Sequence, residues 1–103
     1  LTLQRRSNSA LVLETRPSEG VGGQLWEAAV VRLADHLEQH VPRMHTSRVL
    51  ELGAGTGALG LCCALMGARV TLTDRFDVIP LLKRNVAANA ALLGGILFGI
   101  GLR

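Results

Sequence analysis

The residues that decide the fold are Arg48-Val49-Leu50-Glu51-Leu52-Gly53-Ala54-Gly55-Thr56-Gly57-Ala58. The first five have the short, apolar character of a β-strand, and the apolar run 58–66 predicts a helix. We expect Gly53 to make the turn off the strand and Gly55 to let a ligand approach the backbone. Gly57 or Ala58 would let the helix pack closely on the sheet. This order of strand, glycine turn and helix is typical of open α/β sheets, which bind ligands at the carboxyl ends of their strands.

Further strands and helices alternate along the rest of the chain. Residues 10–13 and 69–73 predict strands, the second of them ending at Asp74. Residues 24–41 and 77–91 predict helices, and the first has one apolar arc: Leu25, Trp26, Ala29, Val30, Leu33, Ala34, Leu37 and Val41. Because alternating strands and helices fit a parallel sheet with crossover helices, we predict an α/β fold. It would be a partial Rossmann-like parallel sheet, truncated after the second crossover helix.

Composition limits the classes of function. The chain has 103 residues, of which 49% are apolar, 18% charged and 3% aromatic, as expected of one small globular domain. Its formal charge of +3 comes from scattered basic residues, and few aromatic side chains could stack on bases, so we expect no nucleic-acid partner. The adjacent Cys62 and Cys63 fit buried apolar residues in a reducing compartment. With no targeting signal, we expect a cytoplasmic or nuclear protein.

Two classes of ligand compete for the glycine turn. Gly53, Gly55 and Ala58 satisfy the dinucleotide pattern G-x-G-x-x-A, and Asp74 has the spacing of a ribose-binding carboxylate. Glu51 favours a different ligand, because a carboxylate there would repel a diphosphate and attract a cofactor that carries positive charge. Less specific interpretations stay open: Glu51 as a surface charge, Asp74 as the N-cap of the next helix, and the tryptophan of the first helix as a core residue.

Two other features suggest sites that we do not expect. His36 and His40 lie one helical turn apart, but no third ligand accompanies them, so we predict no metal site. The apolar tail 92–102 has no charge and contains a small-residue pattern, which keeps membrane association open as an alternative. Because the sequence begins with Leu1 rather than methionine, we expect it to be a fragment.

Three segments together resemble one family. They are 22–31 (Gly-Gly-Gln-Leu-Trp-Glu-Ala-Ala-Val-Val), 49–57 (Val-Leu-Glu-Leu-Gly-Ala-Gly-Thr-Gly) and 70–74 (Val-Thr-Leu-Thr-Asp). This combination is similar to the seven-strand protein-lysine methyltransferases of methyltransferase family 16, and residues 85–89 resemble the N-[VL]-x-x-N segment of that family. The resemblance runs from about Leu11 to Asn89. It implies a class I methyltransferase fold and S-adenosyl-L-methionine as the cofactor.

The resemblance also implies site residues and partners. Gly53, Ala54 and Gly55 would contact the methionine part of the cofactor, and Glu51 would stand near its amino group. Asp74 would bind the ribose, and Trp26 would cover part of the pocket. The substrate would be a protein, such as a chaperone or a translation factor. The chain would then consist of an N-terminal strand with a glycine-rich lead-in (1–23), a partial cofactor-binding domain (24–91) and an apolar tail of unknown role (92–103).

The chain departs from the family pattern after Asn89. No acidic-x-x-Tyr segment follows, so the resemblance implies a fragment without the substrate-binding half and names no catalytic residue. A sheet of two strands would leave unpaired edges and apolar surface, so we expect marginal stability. Two alternatives remain open: a fragment of a nicotinamide- or flavin-dependent oxidoreductase, and an inactive truncated isoform that acts as an interaction or membrane-associated module.

Overall fold

The computed structural model describes the backbone of residues 2–4, 10–15, 20–93 and 99–102, and the side chains of residues 10–15 and 28–93. Its elements follow the predicted alternation of strands and helices. They are β1 (Thr2–Gln4), β2 (Ala10–Val12), α1 (Gly20–His40), a 3₁₀ turn (Met44–Thr46), β3 (Arg48–Leu52), α2 (Ala58–Leu65), β4 (Arg69–Asp74), α3 (Ile79–Ala88), α4 (Ala90–Leu93) and β5 (Gly99–Leu102).

A parallel sheet with the order β3-β4-β5 organises the molecule. Glu51 of β3 lies opposite Leu72 of β4, and Leu72 lies opposite Ile100 of β5. The α/β class and the parallel pairing are therefore confirmed. The sheet continues one strand further than predicted, because Gly99–Leu102, within the tail, pairs with the outer edge of β4. A separate antiparallel pair joins β1 to β2.

Helix α2 covers the sheet between β3 and β4. It is apolar nearly all round and almost fully buried, so it forms the centre of the core. Gly60 lies at its closest approach to β4, since a Cβ there would overlap Leu72 Cδ2 and stand 3.1 Å from Val70 Cγ1. The close packing predicted for Gly57 or Ala58 therefore depends also on a glycine that the sequence analysis did not single out.

Helix α1 packs on the core through only part of its apolar arc. Val30 and Ala34 are buried, and Leu37 is partly buried. Leu33 is 45% exposed and, with Ala29, lines a shallow hollow on the outer side of the helix. Among the described residues, no element covers that side of the helix. The apolar arc is therefore wider than the part of it that packs on the core.

One face of β3 points away from α2. Leu50 and Leu52 point there and are 63% and 62% exposed, so this face of the edge strand is apolar and uncovered by the described part of the chain. Among the helices of the described ranges, none is long and apolar enough to cross a bilayer. The membrane alternative for the tail 92–102 rests on side chains that fall mostly outside the described residues.

Candidate functional site

The glycine turn between β3 and α2 has the conformation that its sequence predicts. Gly53, Gly55 and Gly57 have φ angles of 64°, 59° and 84°, a region that side chains with a Cβ rarely adopt. A Cβ on Gly55 would meet no atom within 4 Å, so open space lies beside its backbone. The turn therefore leaves room for a group to approach the main chain at Gly55, as expected.

Backbone hydrogen bonds tie this turn to the end of β4. The amide of Ala54 donates to the Thr73 carbonyl at 2.9 Å, and the amide of Gly57 donates to the Ala54 carbonyl at 2.9 Å. The hydroxyl of Thr73 in turn donates to the Glu51 carbonyl at 2.8 Å. Ala54 is buried and its amide is already bonded to Thr73, so little of this residue is accessible for its predicted contact with a cofactor.

Asp74, at the carboxyl end of β4, faces the turn. Its Oδ2 accepts a hydrogen bond from the Gly55 amide at 2.8 Å, and its Oδ1 accepts one from the Arg75 amide at 2.7 Å. The side chain is buried. The alternative of Asp74 as the N-cap of α3 is wrong, because the chain makes a further turn and Val78 is the N-cap, with no side-chain bond. The carboxylate instead holds the glycine turn.

The carboxyl group of Glu51 lies at the N-terminal end of α2. Its Oε1 accepts a hydrogen bond from the Gly60 amide at 3.1 Å, in the first turn of the helix. The N-cap residue of α2 is Gly57, which has no side chain to cap the helix, so Glu51 supplies the acceptor from the strand beneath. A negative charge at this end of a helix is also favoured by the helix dipole.

Burial changes the protonation of this carboxyl. It raises the pKa of Glu51 to about 7, the hydrogen bond from Gly60 opposes the rise, and the nearby charge of Asp74 adds to it. The two carboxyl groups therefore lie close enough to interact at the carboxyl end of the sheet. A cationic ligand between them would relieve their repulsion and keep Glu51 ionised.

The structure brings together five of the six predicted cofactor-binding residues: Glu51, Gly53, Ala54, Gly55 and Asp74. Trp26 lies in α1, but its side chain is outside the described residues. His36 and His40 have ring centroids 4.3 Å apart, and the described residues include no group of three or more side chains that could hold a metal ion.

Three residues near the turn were not predicted as part of the site. Gly60 donates to Glu51, and Asn85 of α3 donates from Nδ2 to the Thr56 carbonyl at 2.8 Å. The hydroxyl of Thr56 is buried and, within the part of the chain that the structure describes, has no hydrogen-bond partner. Asn85 was noted in the sequence only as the first residue of the segment 85–89, and no local signal gives the contacts of these residues, since each depends on how helices pack on the sheet and the turn.

Comparisons with a family model and with individual known proteins both point to the same family. The family model described as "Lysine methyltransferase" matches residues 5–98. The chain is 47% identical over 70 residues to the mouse protein N-lysine methyltransferase METTL21A, an alignment that covers 68% of this chain and 32% of the relative. It is 38% identical over 72 residues to EEF1A lysine methyltransferase 3 of Xenopus tropicalis, which covers 70% and 32%. The chain thus spans about a third of the length of these relatives.

Proposed function

Because this chain belongs to the lysine methyltransferase family, we propose that it forms the S-adenosylmethionine-binding part of a protein-lysine methyltransferase. One observation carries the proposal. Glu51 and Asp74 lie at the carboxyl ends of neighbouring strands, beside a glycine turn that has open space at Gly55. Two carboxylates and exposed main chain are complementary to a nucleoside cofactor with positively charged groups.

The residues present fit this cofactor. The turn can accept it at Gly55, where no Cβ occupies the space, and the buried hydroxyl of Thr56 is a polar group that a ligand could satisfy. Asp74 is already oriented by two amides, so its carboxylate could accept ribose hydroxyls without losing side-chain freedom. Glu51 would balance the positive charge of the amino group. When bound, S-adenosylmethionine supplies a methyl group that its cationic sulfur already activates.

The same geometry disfavours the nicotinamide or flavin alternative. A dinucleotide would bring a diphosphate to the start of α2, where Glu51 already occupies the Gly60 amide. Two negative groups in a partly desolvated site repel each other by an amount that grows as water is excluded.

We further propose that the substrate is a lysine side chain of another protein. One relative is named as an EEF1A lysine methyltransferase, which makes EEF1A the first candidate. The described residues contain no side chain that we assign to the substrate lysine. The chain's part in the reaction would be to hold and orient the cofactor.

Isothermal titration calorimetry with S-adenosylhomocysteine and with NAD tests the proposal. We expect S-adenosylhomocysteine to bind and NAD to bind at least tenfold more weakly or not at all. Asp74→Asn should weaken the binding by roughly tenfold, because it replaces a charged acceptor by a neutral one. Asp77→Asn is the matched control, since Asp77 is a nearby, exposed carboxylate paired with Arg75. Tighter binding of NAD, or equal effects of the two variants, would contradict the proposal.

A further inference from the structure

Two buried asparagines, Asn85 of α3 and the C-cap residue Asn89 that follows this helix, bind an N-terminal segment of the chain, residues 12–14. Asn85 Oδ1 accepts a hydrogen bond from the Glu14 amide at 2.7 Å, and its Nδ2 donates to the Glu14 carbonyl at 3.0 Å. Asn89 repeats this arrangement with the amide and carbonyl of Val12, both at 2.8 Å. Both asparagines are at most 2% exposed. Each side-chain amide thus pairs with one residue of the segment as the backbone of a neighbouring strand would.

The spacing of the two asparagines explains this match. Residues four apart on a helix are displaced by about 6 Å along its axis. Residues two apart on a strand are displaced by about 6.6 Å. The side chains of Asn85 and Asn89 therefore reach the backbone at Glu14 and Val12. Their amide groups make the hydrogen bonds that the backbone of a neighbouring strand would otherwise make with the N-terminal segment.

The third hydrogen bond distinguishes the two asparagines. Asn89 Nδ2 donates to the Asn85 carbonyl at 2.7 Å, which lies on its own helix. Asn85 Nδ2 donates to the Thr56 carbonyl at 2.8 Å, in the glycine turn. Asn85 is therefore the member of the pair that connects the N-terminal segment to the candidate cofactor site.

We propose that Asn85 is a positioning residue for the glycine turn, an inference that rests on the proposed function of that turn in binding S-adenosylmethionine. The glycines on both sides of Thr56 adopt positive φ angles, and glycine has little intrinsic preference among the allowed conformations. The shape of the turn must therefore come from its tethers. Ala54 and Gly55 are tethered to β4, and Asn85 tethers Thr56.

The inference predicts a link between two parts of the chain that are distant in sequence. Docking of residues 12–14 uses the Oδ1 and one N–H of Asn85, which fixes the orientation of its amide. The second N–H then points to the Thr56 carbonyl and keeps the turn in its ligand-binding shape. Loss of the N-terminal segment should consequently weaken cofactor binding, although no residue of that segment takes part in the proposed binding site.

The test compares Asn85→Asp with Asn89→Asp. Each variant keeps the Oδ that accepts from the strand and turns the donating nitrogen into an oxygen that faces two carbonyls, so both should destabilise the fold similarly. S-Adenosylhomocysteine affinity is measured by calorimetry, and stability by urea unfolding. We expect N85D to lose about tenfold more affinity than N89D, which corresponds to about 1.4 kcal/mol. Should either aspartate variant fail to fold, Asn85→Ala and Asn89→Ala provide the same comparison.

Hydrogen exchange in the absence of cofactor gives an independent result. The amides of Ala54 and Gly57 should exchange at least tenfold faster in N85D than in N89D, because only Asn85 contacts the turn. Equal exchange and equal loss of affinity in the two variants would overturn the positioning role. If the unsubstituted chain binds no S-adenosylhomocysteine, the proposed function fails, whereas the exchange comparison still decides whether Asn85 holds the turn.

Discussion

Replacement of Glu51 by glutamine should reveal a charge that costs stability. The amide oxygen of glutamine can still accept the hydrogen bond from Gly60, while the charge is lost. Burial raises the pKa of Glu51 to about 7 in the folded chain from an ordinary value of 4.5. Between these two values the folded state holds a proton that the unfolded state has released, so stability falls as pH rises from 4.5 to 7.

The size of the effect follows from this difference in pKa. The difference in pKa corresponds to a change of at most roughly 3 kcal/mol in the free energy of unfolding. Because the Glu51 side chain is only half-buried, solvent screening should reduce the effect to about 1 to 2 kcal/mol. We therefore expect the stability advantage of E51Q over the unsubstituted chain to be small at pH 5 and to grow with pH, reaching this amount at pH 8.

Urea unfolding followed by circular dichroism between pH 5 and pH 8 measures both proteins. The difference between them cancels the contributions of the three histidines, which titrate in the same range. Glu38→Gln, on the exposed surface of α1, is the matched control and should show no such trend. If E51Q were instead less stable at pH 8, the charged carboxylate would be a net stabilising cap for α2, and the reasoning from burial would be refuted.

The same variant links stability to binding. At pH 8, E51Q should bind S-adenosylhomocysteine roughly fivefold more weakly, or about 1 kcal/mol, despite being more stable. A charge that destabilises the fold and strengthens ligand binding is typical of functional sites. Unchanged affinity would show that the carboxylate does not contact the cofactor amino group.

Three further variants test the packing and the glycine turn. Gly60→Ala should destabilise the chain by about 2 kcal/mol in urea unfolding, because its Cβ would overlap Leu72; a change below about 0.5 kcal/mol would mean that α2 shifts freely. Gly55→Ala should cost only about 1 kcal/mol, since space is open there and only the positive φ is unfavourable, but it should reduce S-adenosylhomocysteine affinity more than tenfold in calorimetry. Leu50→Thr with Leu52→Thr should change stability by less than about 0.5 kcal/mol and reduce self-association in light scattering, because both leucines are exposed on an edge strand; a large loss of stability would show that this face is covered.

The central elements could be predicted from sequence because local signals limit them. Gly53 and Asp74 mark the ends of β3 and β4, and Gly67 follows α2, so these elements agree with the prediction to within one residue. The strand β5 was not predicted, since Gly-Ile-Gly-Leu has no alternation of polar and apolar residues and two of its four residues are glycines, which are rare in strands. The outer part of the α1 arc was predicted as apolar, but its burial depends on what packs there.

In the candidate site, too, the residues marked by local sequence patterns were predicted, whereas the contacts that depend on packing were not. Glu51, Gly55 and Asp74 were predicted because the glycine spacing identifies the turn and the strand ends place both carboxylates at one edge of the sheet. The bond from Gly60 to Glu51 and the tether from Asn85 to Thr56 were missed. Both depend on which helix faces meet which strands, and a four-residue spacing of asparagines does not reveal that Asn85 contacts Thr56, which lies 29 positions earlier.

The asparagine pair on α3 also has a consequence for the order of folding. Its bonds to Glu14 and Val12 join residues that are 71 and 77 positions apart, so they close a loop of more than seventy residues. Closing long loops is entropically costly and slow compared with forming helices and neighbouring strand pairs. During synthesis the N-terminal segment must wait until Asn89 has left the ribosome, and we expect its docking to be the last step in assembling the glycine turn.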